Sequence, residues 1–454
     1  MCTARRFPDS RFVGLASLAL SVIAGAMAAC STEEDVLLGA DVDAGGDIEA
    51  GADPSTLDAS GEETGTDGAA PPAVVLPRSD AGAPPVVCTS TPCAKALVTT
   101  LNSEGFCVLL DDGTVACWGQ NESGQLGRGA GAGTISPTPA RVPGLTDVVA
   151  LDHTCAVDTS GRAWCWGKGP FLRSTTQPTT TQTSPIELAL PPVTKIAITE
   201  STACAVTAEG GVLCWGTNED GQVAVPTPGA KTNVPLTPQP TAILQGAPVR
   251  TLRLGSASFL LRSDGTLLTW GASPPLGRVS SLFPDPYPGA IALAGVSSID
   301  IEGSNACAVA EGIGHCWGAA YDSVSNEQLD NVLDRALPEP VATPEPLVQI
   351  ATTRNTGIAT MPQRQCAAAV SGAVYCWGNN ASGQAGDGTT AYAAKPVKVA
   401  GLPAPAAEVR TTPLATCALL TTGKVFCWGH NDTGQLGSGK ITRPSLVPQE
   451  IVSP

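Results

Sequence analysis

Histidine is nearly absent from this chain, with three copies among 454 residues. His153, His315 and His430 stand at three different offsets within the repeat described below. A catalytic or metal centre needs side chains that converge. The sequence therefore predicts no such centre, no metal and no cofactor, and we expect His153 to be a structural hydrogen-bonding residue.

Basic residues are also few, since 25 Lys and Arg stand against 41 Asp and Glu, for a net charge of −16. Without a basic patch, nucleic acid is not an expected partner. The acidic pairs Asp111-Asp112 and Glu219-Asp220 fall in predicted turns. Gly124 and Gly127 have no following Lys-Ser/Thr and form no phosphate loop. We therefore expect a protein that is not an enzyme, the alternative being an enzyme of unrecognised type, for instance one acting on glycans.

The N-terminus combines three arginines with an apolar run at 12–29, which predicts a signal peptide over residues 1–29. A membrane-spanning helix is the alternative, because 18 residues lie at the lower limit for crossing a bilayer. The tetrapeptide Met27-Ala28-Ala29-Cys30, at the end of this run, resembles a bacterial lipobox. The resemblance implies a lipid on Cys30 and a lipoprotein of the outer membrane or cell surface. Cleavage near Ala28 would instead give a secreted protein with a free Cys30.

Residues 30–87 are rich in Ala, Gly, Asp, Glu and Pro, and 13 of them are acidic while only Arg78 is basic. Such a composition cannot bury enough apolar surface to offset the entropy of ordering. We predict a lipidated cysteine followed by a disordered acidic tether, with the folded domain at 88–454.

The folded part repeats a Trp-Gly dipeptide at intervals of 47 to 60 residues. Each Trp-Gly ends a predicted β-hairpin of two strands joined by a turn that contains Gly. An apolar run before the hairpin predicts a further strand, and a run after it, usually beginning with Pro, predicts the fourth. Four strands per repeat and this period predict an all-β, seven-bladed β-propeller of four-stranded blades. We expect the repeat tryptophans to pack between blades. They are Trp118, Trp166, Trp215, Trp270, Trp317, Trp377 and Trp428.

Ring closure is predicted from the strand that follows the last Trp. Pro444 to Ile451 has no hairpin after it, and the first hairpin has no such strand immediately before it. We therefore predict that this C-terminal strand joins the sheet begun by Ala96 to Thr100 and closes the first blade.

The motif CWGxNxxGQLG, complete at Cys117 to Gly127 and at Cys427 to Gly437, resembles the repeat of the regulator of chromosome condensation family. The resemblance covers about residues 95–454 and implies a seven-bladed propeller. The copies at Trp166, Trp270 and Trp317 lack the Asn and Gly-Gln portion, so the sequence leaves their outer loops undetermined.

The cysteines sort into pairs within the repeats. Two cysteines flank each hairpin turn, on facing strands where side chains come within disulfide range. At Trp270 both are absent together, as Phe259 and Thr269. Disulfides need an oxidising compartment, which agrees with an export signal; zinc is the alternative, although short CxxC knuckles are missing. The predicted pairs are Cys107 and Cys117, Cys155 and Cys165, Cys204 and Cys214, Cys307 and Cys316, Cys366 and Cys376, Cys417 and Cys427, and Cys88 and Cys93.

The functional prediction is a noncatalytic, monomeric propeller displayed outside the cytoplasm on a lipid anchor, which is its only contact with the membrane. Its partner would be an unknown protein or cell-surface ligand, bound by the loops that vary between repeats. The family resemblance implies two alternatives. One is an inhibitor of a secreted or envelope enzyme, as in a relative that inhibits β-lactamases. The other is a guanine-nucleotide exchange factor, which the compartment disfavours.

Overall fold

The computed structural model describes residues 76–454 apart from 175, 178, 224–236, 242–244, 319–335 and 354–362. The predicted signal peptide, Cys30 and most of the predicted tether lie outside the described residues. No helix long and apolar enough to span a membrane occurs in the described part of the chain.

The described residues form seven antiparallel sheets of four strands, each sheet one blade. The inner strands are β1 (Ala94–Thr99), β5 (Val148–Asp152), β9 (Val193–Ile198), β13 (Val249–Leu254), β17 (Val296–Glu302), β21 (Leu347–Thr352) and β25 (Ala406–Thr411). The second strands are β2 (Gly105–Leu110), β6 (Cys155–Asp158), β10 (Thr202–Thr207), β14 (Ala257–Arg262), β18 (Asn305–Ala310), β22 (Arg364–Ala369) and β26 (Ala415–Leu420).

The third strand of each blade carries the Trp-Gly dipeptide, and the outer strand completes the sheet. The third strands are β3 (Val115–Gln120), β7 (Ala163–Gly169), β11 (Val212–Gly216), β15 (Leu267–Gly271), β19 (Ile313–Gly318), β23 (Val374–Gly378) and β27 (Val425–Gly429). The outer strands are β4 (Ile135–Arg141), β8 (Thr180–Glu187), β12 (Gln239–Pro240), β16 (Asp285–Ala290), β20 (Glu339–Val341), β24 (Ala393–Lys398) and β28 (Ser445–Glu450). The predicted seven-bladed, four-stranded architecture is confirmed.

Burial explains the order of strands within a blade. The second strands are almost wholly buried between neighbouring blades, as in β2, where every residue is buried. The outer strands alternate partly buried and exposed positions and contain prolines such as Pro137 in β4. A residue that lacks an N–H is tolerated there because the outer edge of the sheet pairs with nothing further.

The predicted closure of the first blade by the C-terminal strand is wrong. β28 pairs with β27 in the seventh blade, with Phe426 opposite Glu450, and blade 1 has its own outer strand β4. Every blade is therefore built from consecutive strands. The prediction failed because Ile135–Arg141 already supplies the outer strand of blade 1, so neither terminal blade lacks a strand.

The ring closes through side chains and through the N-terminal segment instead. The Trp118 indole of blade 1 donates a hydrogen bond to the Gln435 carbonyl of blade 7 at 2.9 Å. On the opposite side, the amide of Ala94 donates to the Gly423 carbonyl at 3.0 Å. Apolar residues of both terminal blades, such as Leu97 and Leu436, share one buried cluster.

Residues 76–93 form a segment that we call the strap. Arg78 pairs with Glu311 of blade 5, and the Ser79 amide donates to the Glu311 carbonyl at 2.9 Å. Further along, the Val87 amide donates to the Thr421 carbonyl of blade 7 at 2.7 Å. Residues 76–87, which the sequence assigns to the tether, thus contact the propeller, and the folded part begins before residue 88.

All seven predicted cysteine pairs are disulfides. In the six blade pairs the two cysteines lie directly opposite on the second and third strands, with Cα atoms 4.1 Å apart. That separation is typical of the non-hydrogen-bonded pairs of an antiparallel ladder, where side chains approach closely. The shorter hairpin of blade 5 keeps this register, because a two-residue turn at Glu311 and Gly312 joins Ala310 to Ile313. Cys88 and Cys93 close a small loop within the strap.

Candidate functional site

The propeller has two faces of different character. One, which we call the loop face, carries the connections from inner to second strands and from third to outer strands, for example 121–134 and 272–284. The other, the turn face, carries the hairpin turns between second and third strands and the links between blades, for example 111–114. The candidate site is the loop face.

Tryptophan indoles hold the loop face together. In six blades the indole N–H donates to a backbone carbonyl in the connection of the preceding blade, at 2.5–2.9 Å. The pairs are Trp118 and Gln435, Trp166 and Gln125, Trp215 and Pro170, Trp270 and Gln222, Trp317 and Pro275, and Trp428 and Gln384. The tryptophans therefore lie at blade boundaries, and their indole N–H groups are used in the scaffold.

The Asn, Gln and Gly residues of the repeat motif also stabilise the loop face. In blade 1 the Asn121 side chain accepts a hydrogen bond from the Leu126 amide at 2.9 Å and donates to the Gly133 carbonyl at 2.6 Å. The Gln125 side chain accepts from the Ser123 amide at 2.8 Å. Gly127 adopts φ +66°, and a Cβ there would lie 3.0 Å from the Trp166 ring, so a larger residue does not fit. Asn, Gln and Gly thus shape the loop.

Two of the blades that lack the motif use other residues to accept the indole hydrogen bond and to fill the buried Leu position. In blade 2 the carbonyl of Pro170 takes the place of the Gln carbonyl, and Phe171, 1% exposed, fills the position of the buried Leu. In blade 4 Pro275 and Leu276 do the same. Sequence reasoning missed these substitutes, although a proline followed by an apolar residue shortly after Trp-Gly was available as a signal.

Charged side chains fill the central channel. In four blades the inner strand places a charged residue opposite the first hairpin cysteine, or opposite Phe259, which replaces that cysteine in blade 4. These residues are Asp152 of blade 2, Arg253 of blade 4, Asp300 of blade 5 and Arg410 of blade 7. Arg253 pairs with Asp152 at 2.7 Å and approaches Asp300 at 4.0 Å. Arg410 pairs with Asp300 at 3.5 Å and also with Glu408.

The network leaves the channel closed. The cavity that its side chains line has a volume of about 10 Å³, which is at the limit for a single water molecule. Burial lowers the pKa of the Arg410 guanidinium, but Glu408, Asp300 and Asp152 more than compensate and raise it. Arg410 is therefore a permanent cation among three carboxylates, and the cavity beside it has no room for a ligand larger than water.

The histidines have separate local partners. The Nδ1 atom of His153 lies 3.1 Å from both the hydroxyl and the carbonyl oxygen of Thr99 in blade 1. His315 contacts the Ile313 carbonyl, and His430 lies 3.3 Å from Asp432. Within the described ranges, no three His, Cys, Asp or Glu side chains are grouped so that they could hold a metal ion.

A buried arginine fixes the inner rim of the loop face. Arg364 of blade 6 is fully buried, and its guanidinium donates to the carbonyls of Thr412 and Ala415 in blade 7 at 2.7 and 2.8 Å. Burial lowers its pKa to about 9, although nearby Glu104 of blade 1 opposes this shift. Glu104 itself accepts from the Leu414 amide at 3.2 Å. Three blades are thus connected through one turn.

Variation in length concentrates on the loop face. The longest connections between third and outer strands run from Gly216 to Gln239 in blade 3 and from Gly318 to Glu339 in blade 5. Blade 6 has its long connection between inner and second strands, from Thr352 to Arg364. The hairpin turns of the turn face stay short. Variable connections on a rigid support are where recognition usually lies.

Comparison with known proteins agrees with this architecture. Models of the regulator of chromosome condensation (RCC1) repeat match residues 102–125, 193–222, 371–410 and 415–435. RCC1 repeats are thus recognised in blades 1, 3, 6 and 7. These matches include the motif of blades 1 and 7 and the altered copy in blade 3.

Similarity to whole proteins extends over most of the propeller. The ultraviolet-B receptor UVR8 of Arabidopsis thaliana is 27% identical over 365 residues, which are 77% of this chain and 80% of that protein. The human E3 ubiquitin-protein ligase HERC2 is 33% identical over 175 residues, but these cover 37% of this chain and only 4% of HERC2. Yeast RCC1 (Prp20), crystallised bound to Kap60, superimposes with a TM-score of 0.60 at 19% identity, covering 86% of this chain and 91% of that one. This chain shares the fold of that structure.

Proposed function

We propose that this protein is a noncatalytic binding propeller held outside the cytoplasm on a lipid anchor, with the loop face as its binding surface. The seven disulfides carry the proposal. Bridges of this number persist in an oxidising compartment and are rare in the cytosol. They support the export signal and the lipid on Cys30 that the sequence predicts.

The strap supports the choice of face. It crosses the turn face from Glu311 of blade 5 to Thr421 of blade 7. The turn face is thereby partly covered, whereas the loop face carries the long connections. A chain anchored through Cys30 would present the loop face to partners.

RCC1-repeat relatives support a binding role. UVR8 is named a receptor, and yeast RCC1 was crystallised with Kap60 bound. The similarity to HERC2 spans 4% of that ligase, which gives no reason to extend a ligase activity to this chain. An exchange-factor role would require a cytosolic partner, which the proposed compartment does not provide.

Mass spectrometry of the mature protein from its native membrane fraction, digested without reduction, tests this proposal. We expect an acylated N-terminal peptide that begins at Cys30, together with crosslinked peptides such as Cys107 with Cys117. An unprocessed N-terminus with free thiols would overturn the proposal and return the exchange-factor interpretation to first place.

The binding face is tested separately with exchanged loops. A variant in which residues 217–238 and 272–284 are replaced by the shorter connection of blade 2 should lose capture of envelope proteins that the wild-type chain retains. A variant of the turn face, Val370→Ser, serves as control. Equal recovery by all three proteins would contradict a binding role for the loop face.

A further inference from the structure

The densest group of exposed apolar side chains among the described residues lies on one loop-face connection. Between β15 and β16 of blade 4, Val279 is 85% exposed, Leu282 44% and Phe283 77%. Exposed apolar residues that occur singly need no explanation, but three within five positions mark an interaction surface. We call residues 279–283 the apolar tip.

The base of this connection is anchored on two blades. The carbonyl of Pro275 accepts the indole N–H of Trp317 in blade 5 at 2.8 Å. The neighbouring Leu276 is buried, and its carbonyl accepts the hydroxyl of Thr269 in blade 4 at 2.7 Å. The residues that lead into the apolar tip are therefore part of the rigid scaffold.

An ion pair clasps the two arms of the connection. Arg278 and Asp285 contact each other at 2.8 Å, and their side chains are 14% and 6% exposed. Arg278 also donates to the Tyr287 carbonyl at 2.7 Å. The Ser280 hydroxyl donates to Asp285 at 2.7 Å and accepts the Leu282 amide at 3.1 Å. The two arms that carry the apolar tip are thus tied together before any partner arrives, which reduces the entropy lost on binding.

Charge around the apolar tip favours a protein over a bilayer. Peripheral membrane segments combine apolar side chains with free Lys and Arg, but Arg278 is occupied by Asp285. The neighbouring blade 3 brings Glu219 and Asp220, because Gly221 packs directly against Pro286. An anionic membrane would repel these two carboxylates. A partner with basic residues would be attracted.

We infer that the apolar tip is an anchor that inserts into an apolar cleft, bordered by basic residues, on a folded extracytoplasmic protein. This inference rests on the proposed binding function and names its central contact. Phe283 fills the cleft and Val279 covers its rim, while Glu219 and Asp220 face the basic border.

Site-specific crosslinking tests the inference on the full-length, oxidised protein in its own host. The photoreactive residue p-benzoylphenylalanine is placed at position 283, at position 392 elsewhere on the loop face, or at position 370 on the turn face. Tyr392 and Val370 are 45% and 40% exposed, which makes them suitable comparisons. We expect a protein adduct at position 283, identified by mass spectrometry, and none at position 370.

The protein found in the adduct is then purified and titrated by calorimetry with wild type, Phe283→Ser, Val279→Ser and Val370→Ser. Loss of a central aromatic anchor should weaken binding about 10-fold or more, and Val370→Ser should bind as wild type does. Unchanged thermal melting of Phe283→Ser would show that the loss is local. Sedimentation with vesicles of phosphatidylethanolamine and phosphatidylglycerol is run in parallel.

The outcomes separate this inference from the proposed function. If the purified partner binds Phe283→Ser and wild type equally, the apolar tip is not the anchor, although the binding function stands. Lipid adducts at position 283, or vesicle binding lost in Phe283→Ser, would replace the protein partner by a membrane. If neither position 283 nor position 392 gives a protein adduct, both the inference and the binding function of the loop face fail.

Discussion

Replacement of Trp166 by Phe tests whether the blade boundaries depend on the indole hydrogen bond. Trp166 is completely buried, and its N–H donates to the Gln125 carbonyl of the preceding blade at 2.8 Å. Phenylalanine keeps most of the apolar contact but has no donor. The variant therefore leaves a buried carbonyl without this partner and a small void where the second ring was.

The magnitude follows from these two losses. An unsatisfied buried polar group costs about 1–3 kcal/mol. A void of roughly 40 Å³ adds about 1 kcal/mol, at about 24 cal/mol for each Å³ of cavity. We expect Trp166→Phe to lower the free energy of unfolding by about 2–4 kcal/mol, with the loss felt in two blades because the bond crosses between them.

Urea unfolding with the disulfides intact, followed by circular dichroism, measures this effect. Trp164→Phe is the matched control, since Trp164 lies two positions earlier in the same strand and its N–H donates within its own blade, to the Asp158 carboxylate at 3.1 Å. Asp158 keeps hydrogen bonds from Ser160 and Arg162 when that donor is lost. We expect a change below about 1 kcal/mol for the control. Equal unfolding midpoints for the two variants would refute the role of the indole hydrogen bond.

Three further predictions concern the disulfides, the apolar tip and the strap. Replacement of Cys204 and Cys214 together by Ala should lower the free energy of unfolding by up to about 2.8 kcal/mol for loop closure, and a wild-type midpoint in non-reducing urea would contradict this. Burial would raise the pKa of the Asp285 carboxyl, but hydrogen bonds from Ser280, the Tyr287 amide and Arg278 lower it overall. The stability that ionised Asp285 contributes should thus be complete above its ordinary pKa of 3.8 and lost as pH falls below it. Asp285→Asn should therefore melt at a lower temperature than wild type at pH 7, and at the same temperature at strongly acidic pH. Deletion of residues 76–87 should lower the melting temperature while binding at the loop face persists, and loss of both together would show that the strap supports the whole ring.

The sequence was sufficient for the architecture because each blade repeats one local pattern. The Trp-Gly dipeptide, the Gly-containing hairpin turn and the proline-led outer strand are all encoded within one repeat. The disulfides could be predicted for the same reason, since Cys107 and Cys117 face each other in a single hairpin and need no distant contact. In blade 4 both cysteine positions are replaced together, by Phe259 and Thr269, which also indicates that the two positions form a pair.

Ring closure was mispredicted because it is not a local property. The last strand pairs with β27 of its own blade, and blade 1 has its own outer strand β4. The ring closes instead through contacts between the first and last blades, such as the hydrogen bond from Trp118 to Gln435, and these join residues far apart in the sequence. The substitutes for the Gln-Leu pair, Pro170-Phe171 and Pro275-Leu276, were missed for a related reason. Each pair is recognised by its position against the Trp of the next blade, whose indole N–H bonds to the proline carbonyl. Every residue has a backbone carbonyl, so the sequence does not show which one accepts this bond.

The sequence by itself thus determined the fold class, the number of blades and the cysteine pairs, since each depends on contacts within a repeat. Only the tertiary structure brought Asp152, Arg253, Asp300 and Arg410 together in a closed channel, because they come from four different blades and meet only when the ring is assembled. Tertiary structure also placed the strap on one face and the apolar tip on the other. The side on which a connection emerges depends on how the whole ring is assembled, and that assembly decides where this protein meets a partner.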